Sequence, residues 1–150
     1  MLEHEIAAIY YLIASVVNAT HYFEEIPEDM LIPCVFYPTP EPSGMGYSLS
    51  TYVTEFVIYV MFMDSTTMGA YEMASRALQA MMKQKNKIQL VNDQGNVSGK
   101  NFRINYPVVK KIDSCVYQIE ISWKRYTSYN QEIATSAKEI FFNSKPIDSK

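Results

Sequence analysis

Apolar and polar positions follow two different spacings along this chain. Near the N-terminus, apolar side chains recur every three or four residues, which predicts an amphipathic helix over residues 2–20. The same spacing returns over residues 67–84, after a run of good N-cap residues, and predicts a second helix. On that helix one stripe is expected to face the core: Met68, Tyr71, Ala74, Leu78, Met81 and Met82.

Strand patterns occupy most of the remaining chain. Residues 33–38 are a short apolar run bounded by prolines, which places a strand at or near a sheet edge. Residues 51–63 give the strongest strand pattern, and both of its alternating faces are mostly apolar. We therefore expect both faces to be covered, the second by a neighbouring subunit. Further strands are predicted over residues 87–91, 102–106, 108–112 and 115–127.

The segments between these elements have the composition of loops. Residues 21–32 are polar and acidic, and residues 39–46 contain prolines and two glycines, so both are expected to lack regular structure. Residues 92–96 carry a turn signal. A polar tail begins at residue 128 and contains one apolar stretch, residues 137–142, which must dock on its own domain or on a neighbour.

The order of these elements predicts the fold class. We expect an α+β fold, with a mainly antiparallel sheet, two helices packed on one face and a C-terminal extension. A chain of 150 residues suits one domain, which we place at residues 1–128, followed by a tail at residues 129–150.

Composition narrows the classes of function. The chain is 48% hydrophobic and 19% charged, and its net charge of −3 includes no basic block. Because gripping DNA phosphates usually needs clustered cations, specific DNA binding is disfavoured. The acidic first residues do not fit a signal peptide, and the apolar stretch after them is too short to span a bilayer, so no membrane association is expected. Cys34 and Cys115 are interpreted as free thiols in a reducing compartment.

Candidate chemistry is sparse. The two histidines, His4 and His21, are interpreted as surface residues, and no nucleophile elbow or phosphate-binding loop occurs. Glu55 is the one acid in the central apolar strand, and we assign it a structural or interface role, with Lys124 or Arg125 as possible partners. We predict no catalytic residue, no cofactor and no metal site, and hence no enzyme.

The layout of the chain resembles the tail-terminator, or tail-completion, proteins of bacteriophages and phage tail-like particles. The resemblance rests on an amphipathic helix (residues 2–20), a proline-flanked strand (32–38), a long strand ending in an acid (51–64) and a helix of small and large apolar residues (70–82). It covers about residues 1–128, and the tail after Tyr129 has no counterpart. The family has no catalytic residues to transfer.

The resemblance implies a mechanical function in the virion. Such proteins form a ring, typically a hexamer, at the head-proximal end of the tail tube, where they end tube polymerisation and meet the head-completion or neck proteins. DNA passes through the lumen without specific binding, and assembly takes place in the host bacterial cytoplasm. Another head–tail adaptor or baseplate protein, or a small α+β ligand-binding domain or enzyme, remains an alternative. Interface residues are expected in the loops and the tail: Pro38, Pro40, Pro42, Met45, Tyr47, Asp93, Asn96, Phe141 and Phe142.

Overall fold

The computed structural model describes residues 2–129 apart from Asp93 and Gly95. Within these residues the chain forms two helices and eight strands. Their order is α1 (Leu2–Ala14), β1 (Thr20–Phe23), β2 (Cys34–Tyr37), β3 (Glu41–Gly46), β4 (Thr51–Met63), α2 (Thr67–Lys83), β5 (Lys87–Val91), β6 (Val97–Arg103), β7 (Val108–Asp113) and β8 (Val116–Ser128).

The main sheet is built around two long strands. β4 and β8 pair antiparallel along all 13 residues, from Thr51 opposite Ser128 to Met63 opposite Val116. The strand order is β1-β2-β4-β8-β7. β3 and β2 pair with the same edge of β4, β3 along its first half and β2 near its end. Only β1 and β2 run parallel among the pairs of this sheet in the described residues. The predicted α+β class with a mainly antiparallel sheet is confirmed.

One face of this sheet carries the core. Its buried side chains come from alternate positions of β4 and β8: Phe56, Ile58, Val60, Phe62, Ile119, Ile121 and Trp123. Ile9 and Ile13 of α1, Ile88 of β5 and the inner side of α2 pack against them. Both helices therefore cover the same face, together with the separate β5–β6 hairpin. Burying each such Ile or Phe contributes about 1.5–3 kcal/mol relative to leaving it exposed.

The buried side of α2 differs from the predicted stripe. The helix buries Ala70, Met73, Ala74, Ala77 and Met81 against the sheet. Met68, Tyr71 and Met82 are exposed, so assigning these three to the core was wrong. The small alanine side chains let the helix axis approach the strands closely. The larger residues then fall on the flanks of the stripe, where periodicity alone does not separate them from the buried side.

Two segments predicted as loops contain strands. The first helix ends at Ala14, six residues before β1, which pairs with β2 from Thr20 opposite Cys34 to Phe23 opposite Tyr37. β3 occupies most of the expected 39–46 loop. Its Pro42 lies on an outer strand, where a missing N–H need not break a ladder.

Two strand boundaries also differ from the predicted ones. The strand predicted over residues 102–106 is β6, which ends at Arg103, and Ile104 then forms an isolated bridge with Trp123. Cys115 was assigned to the last strand but lies in the β7–β8 turn with a φ of 63°. Both cysteines are free thiols, as expected.

Candidate assembly surfaces

The face of the sheet opposite the core is rich in apolar side chains. Val57, Tyr59 and Met61 of β4 point there and are half-buried. Cross-strand pairing sets Phe36 of β2 beside Met61 and places Val108 of β7 on the same side, two strands from Tyr59. We call these five residues the outer face. Within the described residues both helices lie on the other side of the sheet, and Val108 is the most exposed of these five side chains at 54%.

A three-stranded extension continues this surface. It consists of β3, residues 51–55 of β4 and residues 124–128 of β8, and we call it the arm. All six residues of β3 are exposed. At its end, Leu49 is 102% exposed and Tyr47 is 65% exposed. Together with Met45 and Tyr126, these residues make the arm the site of several large exposed apolar side chains.

Aromatic contacts give the arm a defined shape. The rings of Tyr47 and Tyr126 meet edge to face with centroids 5.1 Å apart. Val53 lies opposite both Tyr126 and Met45 in the strand register and is only 3% exposed. The arm therefore holds a small apolar cluster of its own on the same side of the sheet as the outer face.

The base of the arm is fixed to the body by charge. Arg125 of β8 donates to the carboxylate of Glu5 in α1, whose side chain is 9% exposed. The guanidinium also sits 5.0 Å from the centroid of the Phe56 ring. A buried carboxylate needs such a partner because an uncompensated charge is costly to desolvate. Glu55 does not form this pair: it lies 3.5 Å from Asn105 Nδ2, with Lys124 directly opposite in the register.

The predicted interface residues divide into separate places. Pro42, Met45 and Tyr47 lie together on the exposed arm, whereas Pro38 is half-buried and Pro40 is buried. Asn96 lies in the β5–β6 turn, on the second sheet, where its N–H donates to Asn92 Oδ1 over 2.9 Å. Asp93, Phe141 and Phe142 lie outside the described residues.

An aromatic cluster that sequence reasoning missed lies where α1 meets β1 and β2. Tyr10, Phe23 and Tyr37 have ring centroids 4.9–6.0 Å apart. His21 Nδ1 lies 2.9 Å from the Tyr37 hydroxyl, and the backbone of Val17 also hydrogen-bonds this ring. Burial lowers the pKa of His21 and raises that of Tyr37. These directions favour a neutral, structural pair that ties β1 to β2. The missed signal was the Thr-His-Tyr-Phe run of β1, whose alternation is too short to separate a strand from a loop.

Neither a metal-binding cluster nor a membrane-spanning helix is found in the described residues. No group of three or more His, Cys, Asp or Glu side chains there is placed to hold a metal ion. In the same part of the chain, neither helix is long and apolar enough to cross a membrane.

Comparison with known proteins gives distant similarities. No protein-family model matches the chain. It is 22% identical over 123 residues to the uncharacterized protein YqbJ of Bacillus subtilis (strain 168), a match that covers 82% of this chain and 84% of that protein. Among solved structures it resembles a chain of the virion of a native gene transfer agent particle. The TM-score is 0.46 at 15% identity, over 85% of this chain and 97% of the other.

Proposed function

We propose that this chain is a structural virion protein of a phage or phage-like particle, and specifically a tail terminator. In this proposal, copies of the chain form a closed ring, a hexamer, on the head-proximal end of the tail tube. The ring ends polymerisation of the tube and offers its other side to the head-completion or neck protein. DNA passes through the lumen without specific contacts, and the protein acts without catalysis.

The main support for this proposal is the arm together with the outer face. Apolar side chains occur along β4 from the exposed tip at Leu49 to Met61, on the side of the sheet opposite the helices, with Glu55 and its neighbour Lys124 between the arm cluster and the outer face. The arm groups four exposed large apolar side chains, Met45, Tyr47, Leu49 and Tyr126, and grouped exposure of this kind marks contacts with other proteins. A ring gives each copy two neighbours, and stacking on a tube gives it a third contact.

The layout that resembles tail terminators supports the same function. The N-terminal helix, the short β2, the long β4 and the alanine-rich α2 occur in the expected order. The structure adds one element to that layout: the segment before β4 is a strand of the arm rather than a loop. In the proposed ring, Pro42 and Met45 of this strand and Tyr47 just after it would contact a neighbour.

Tube length tests the proposed function. Tail-tube protein from the same particle is polymerised with and without this protein, and tube lengths are measured by negative-stain electron microscopy. We expect short, capped tubes at substoichiometric amounts of the wild-type protein. Leu49→Ser/Met45→Ser, which alters only exposed arm positions, should cap poorly, whereas Glu72→Gln on the outer side of α2 should cap normally. Tubes whose lengths ignore the wild-type protein would contradict a terminator function.

A further inference from the structure

One edge of the main sheet is acidic. β1 is the outermost strand on that side, and the loop that follows it carries Glu24, Glu25, Glu28 and Asp29, all exposed, with no basic residue between them. Three large apolar side chains lie beside them: Phe23, Leu31 and Ile32 are 45–65% exposed. Within the described residues, none of these four carboxylates forms an ion pair. We call Glu24–Asp29 the acidic edge.

The opposite edge is basic. β7 is the outermost strand there and exposes Lys110 and Lys111, with Asp113 as the one acid at its end. Continuing along β8 on the same side, Arg103 and Lys85 border an open depression that also contains Tyr106. We call these four cations, Lys85, Arg103, Lys110 and Lys111, the basic edge.

The basic edge has exposed apolar side chains between its cations. Tyr106, Val108 and Ile112 are 76%, 54% and 46% exposed. Phe23, Leu31 and Ile32 are their counterparts on the acidic edge. Each edge thus combines exposed apolar side chains with a predominance of one sign of charge, and the two edges are electrostatically complementary.

We propose that copies of this chain join head to tail, with the acidic edge of one copy seated on the basic edge of the next. The two edges are separated by four strand spacings, about 19 Å, so within the described residues they do not reach each other. A contact between two different surfaces of the same chain is heterologous, and it closes into a ring when the rotation per copy divides a full turn. This inference rests on the proposed ring function and names the contact that builds the ring.

The strand directions are compatible with this junction. β1 runs parallel to β2, and the antiparallel steps through β4 and β8 leave β7 running opposite to β1. A sheet continued from β7 of one copy to β1 of the next would therefore meet as an antiparallel pair. The arm lies apart from this line, which leaves it free for the tube or for the next layer.

Charge reversal with rescue tests the junction. One variant carries Glu28→Lys/Asp29→Lys and the other carries Lys110→Glu/Lys111→Glu. Each is studied alone and mixed with the other by sedimentation velocity at low ionic strength, where exposed charges are least screened. Each variant alone should associate at least about tenfold more weakly than the wild type, because like charges then meet across the junction.

The mixture gives the decisive result. In alternating order, a lysine-bearing loop meets a glutamate-bearing strand and a native loop meets a native strand, so the mixed variants should associate like the wild type. A chain carrying all four substitutions should associate with itself. Glu72→Lys and Arg76→Glu, on the exposed side of α2, change the net charge without touching either edge and should leave association unchanged.

Several results would overturn the junction. They are a wild-type protein that stays monomeric at low ionic strength, variants that associate as well as the wild type, and a mixture that does not recover. In the second and third cases the tube-length assay still reports separately on terminator function, because a ring built through another surface would cap tubes normally. Circular dichroism of each variant shows that the exposed substitutions leave the fold intact.

Discussion

The two faces of β4 have nearly the same apolar composition but different surroundings. Phe56, Ile58 and Phe62 lie under the helices and are 8% exposed or less. Tyr59 and Met61, between and beside them in sequence, point to the outer face and stay half-exposed. The single chain explains why the first set is apolar. The described part of the chain does not explain why the second set is apolar, since an ordinary solvent-facing strand alternates with polar residues, and a neighbouring copy is the proposed partner.

The comparison separates two kinds of side chain that hydropathy alone treats alike. Side chains of the inner face stabilise the folded monomer, and their loss should appear in unfolding experiments. Side chains of the outer face and the arm should contribute to assembly, and their loss should leave unfolding nearly unchanged. Substitutions at neighbouring positions of one strand can therefore distinguish the two functions.

The largest expected effect is on the inner face. Phe62→Ala removes a fully buried ring opposite Tyr117 and leaves a cavity in the core. We expect a loss of about 3–5 kcal/mol in the free energy of unfolding, measured by urea denaturation. A loss below about 1 kcal/mol would mean that β4 is not held against the helices as described.

Removing the Arg125 charge at the base of the arm should lower the free energy of unfolding less than Phe62→Ala does. Arg125→Ala leaves Glu5 without its partner and uncovers the Phe56 ring. Because Arg125 keeps 27% of its side-chain surface exposed, we expect a loss of about 1–3 kcal/mol in the free energy of unfolding. Lys124→Ala, the exposed neighbour, should change it by less than about 0.5 kcal/mol. Equal effects of the two substitutions would contradict the assigned ion pair.

The outer face should show the reverse pattern. Tyr59→Ser/Met61→Ser removes two apolar side chains that are only partly buried, so each substitution should lower the free energy of unfolding by less than the roughly 3–5 kcal/mol expected for Phe62→Ala. Association measured by sedimentation should weaken by a larger factor than unfolding does. A variant that unfolds as easily as Phe62→Ala while associating normally would place this face in the core.

The smallest effect concerns pH. Burial lowers the pKa of His21 below its ordinary value of 6.5, so the unfolded chain binds a proton more readily than the folded one. The contribution of His21 to the free energy of unfolding should therefore be constant above pH 6.5. It should fall as the pH drops from 6.5 towards the pKa of His21 in the folded protein. His21→Asn should remove this pH dependence. Tyr37→Phe should keep it, because burial of His21, rather than its contact with the Tyr37 hydroxyl, is the main cause of the lowered pKa. Thermal unfolding from pH 7 to 5 measures the difference.

Most predicted segments agree with the structure, including the short β5 and the edge strand β7, but α1 ends at Ala14, six residues before its predicted end. The predicted bounds of β4 match the structure, and α2 differs by one residue at its end, because each pattern extends over 13 or more residues. β1 and β3 were missed because they are held by pairing with strands distant in sequence, and because proline and glycine in β3 normally indicate a loop.

The candidate surfaces show the same limit. The apolar second face of β4 follows from alternation and was anticipated. The acidic and basic edges were not, since Glu28 and Lys110 become opposite ends of one sheet only through the strand order. Of the predicted interface residues, Met45 and Tyr47 lie on the exposed arm, whereas Pro40 is buried.

The mass of the purified protein in solution, with and without the tail-tube protein, tests the central claim most directly. Multi-angle light scattering over a range of concentrations gives that mass. We expect a closed ring whose mass stops rising with concentration, or a ring that forms when tube ends are present. A protein that remains monomeric under both conditions would contradict it, because the outer face and the arm would then have no partner in the particle.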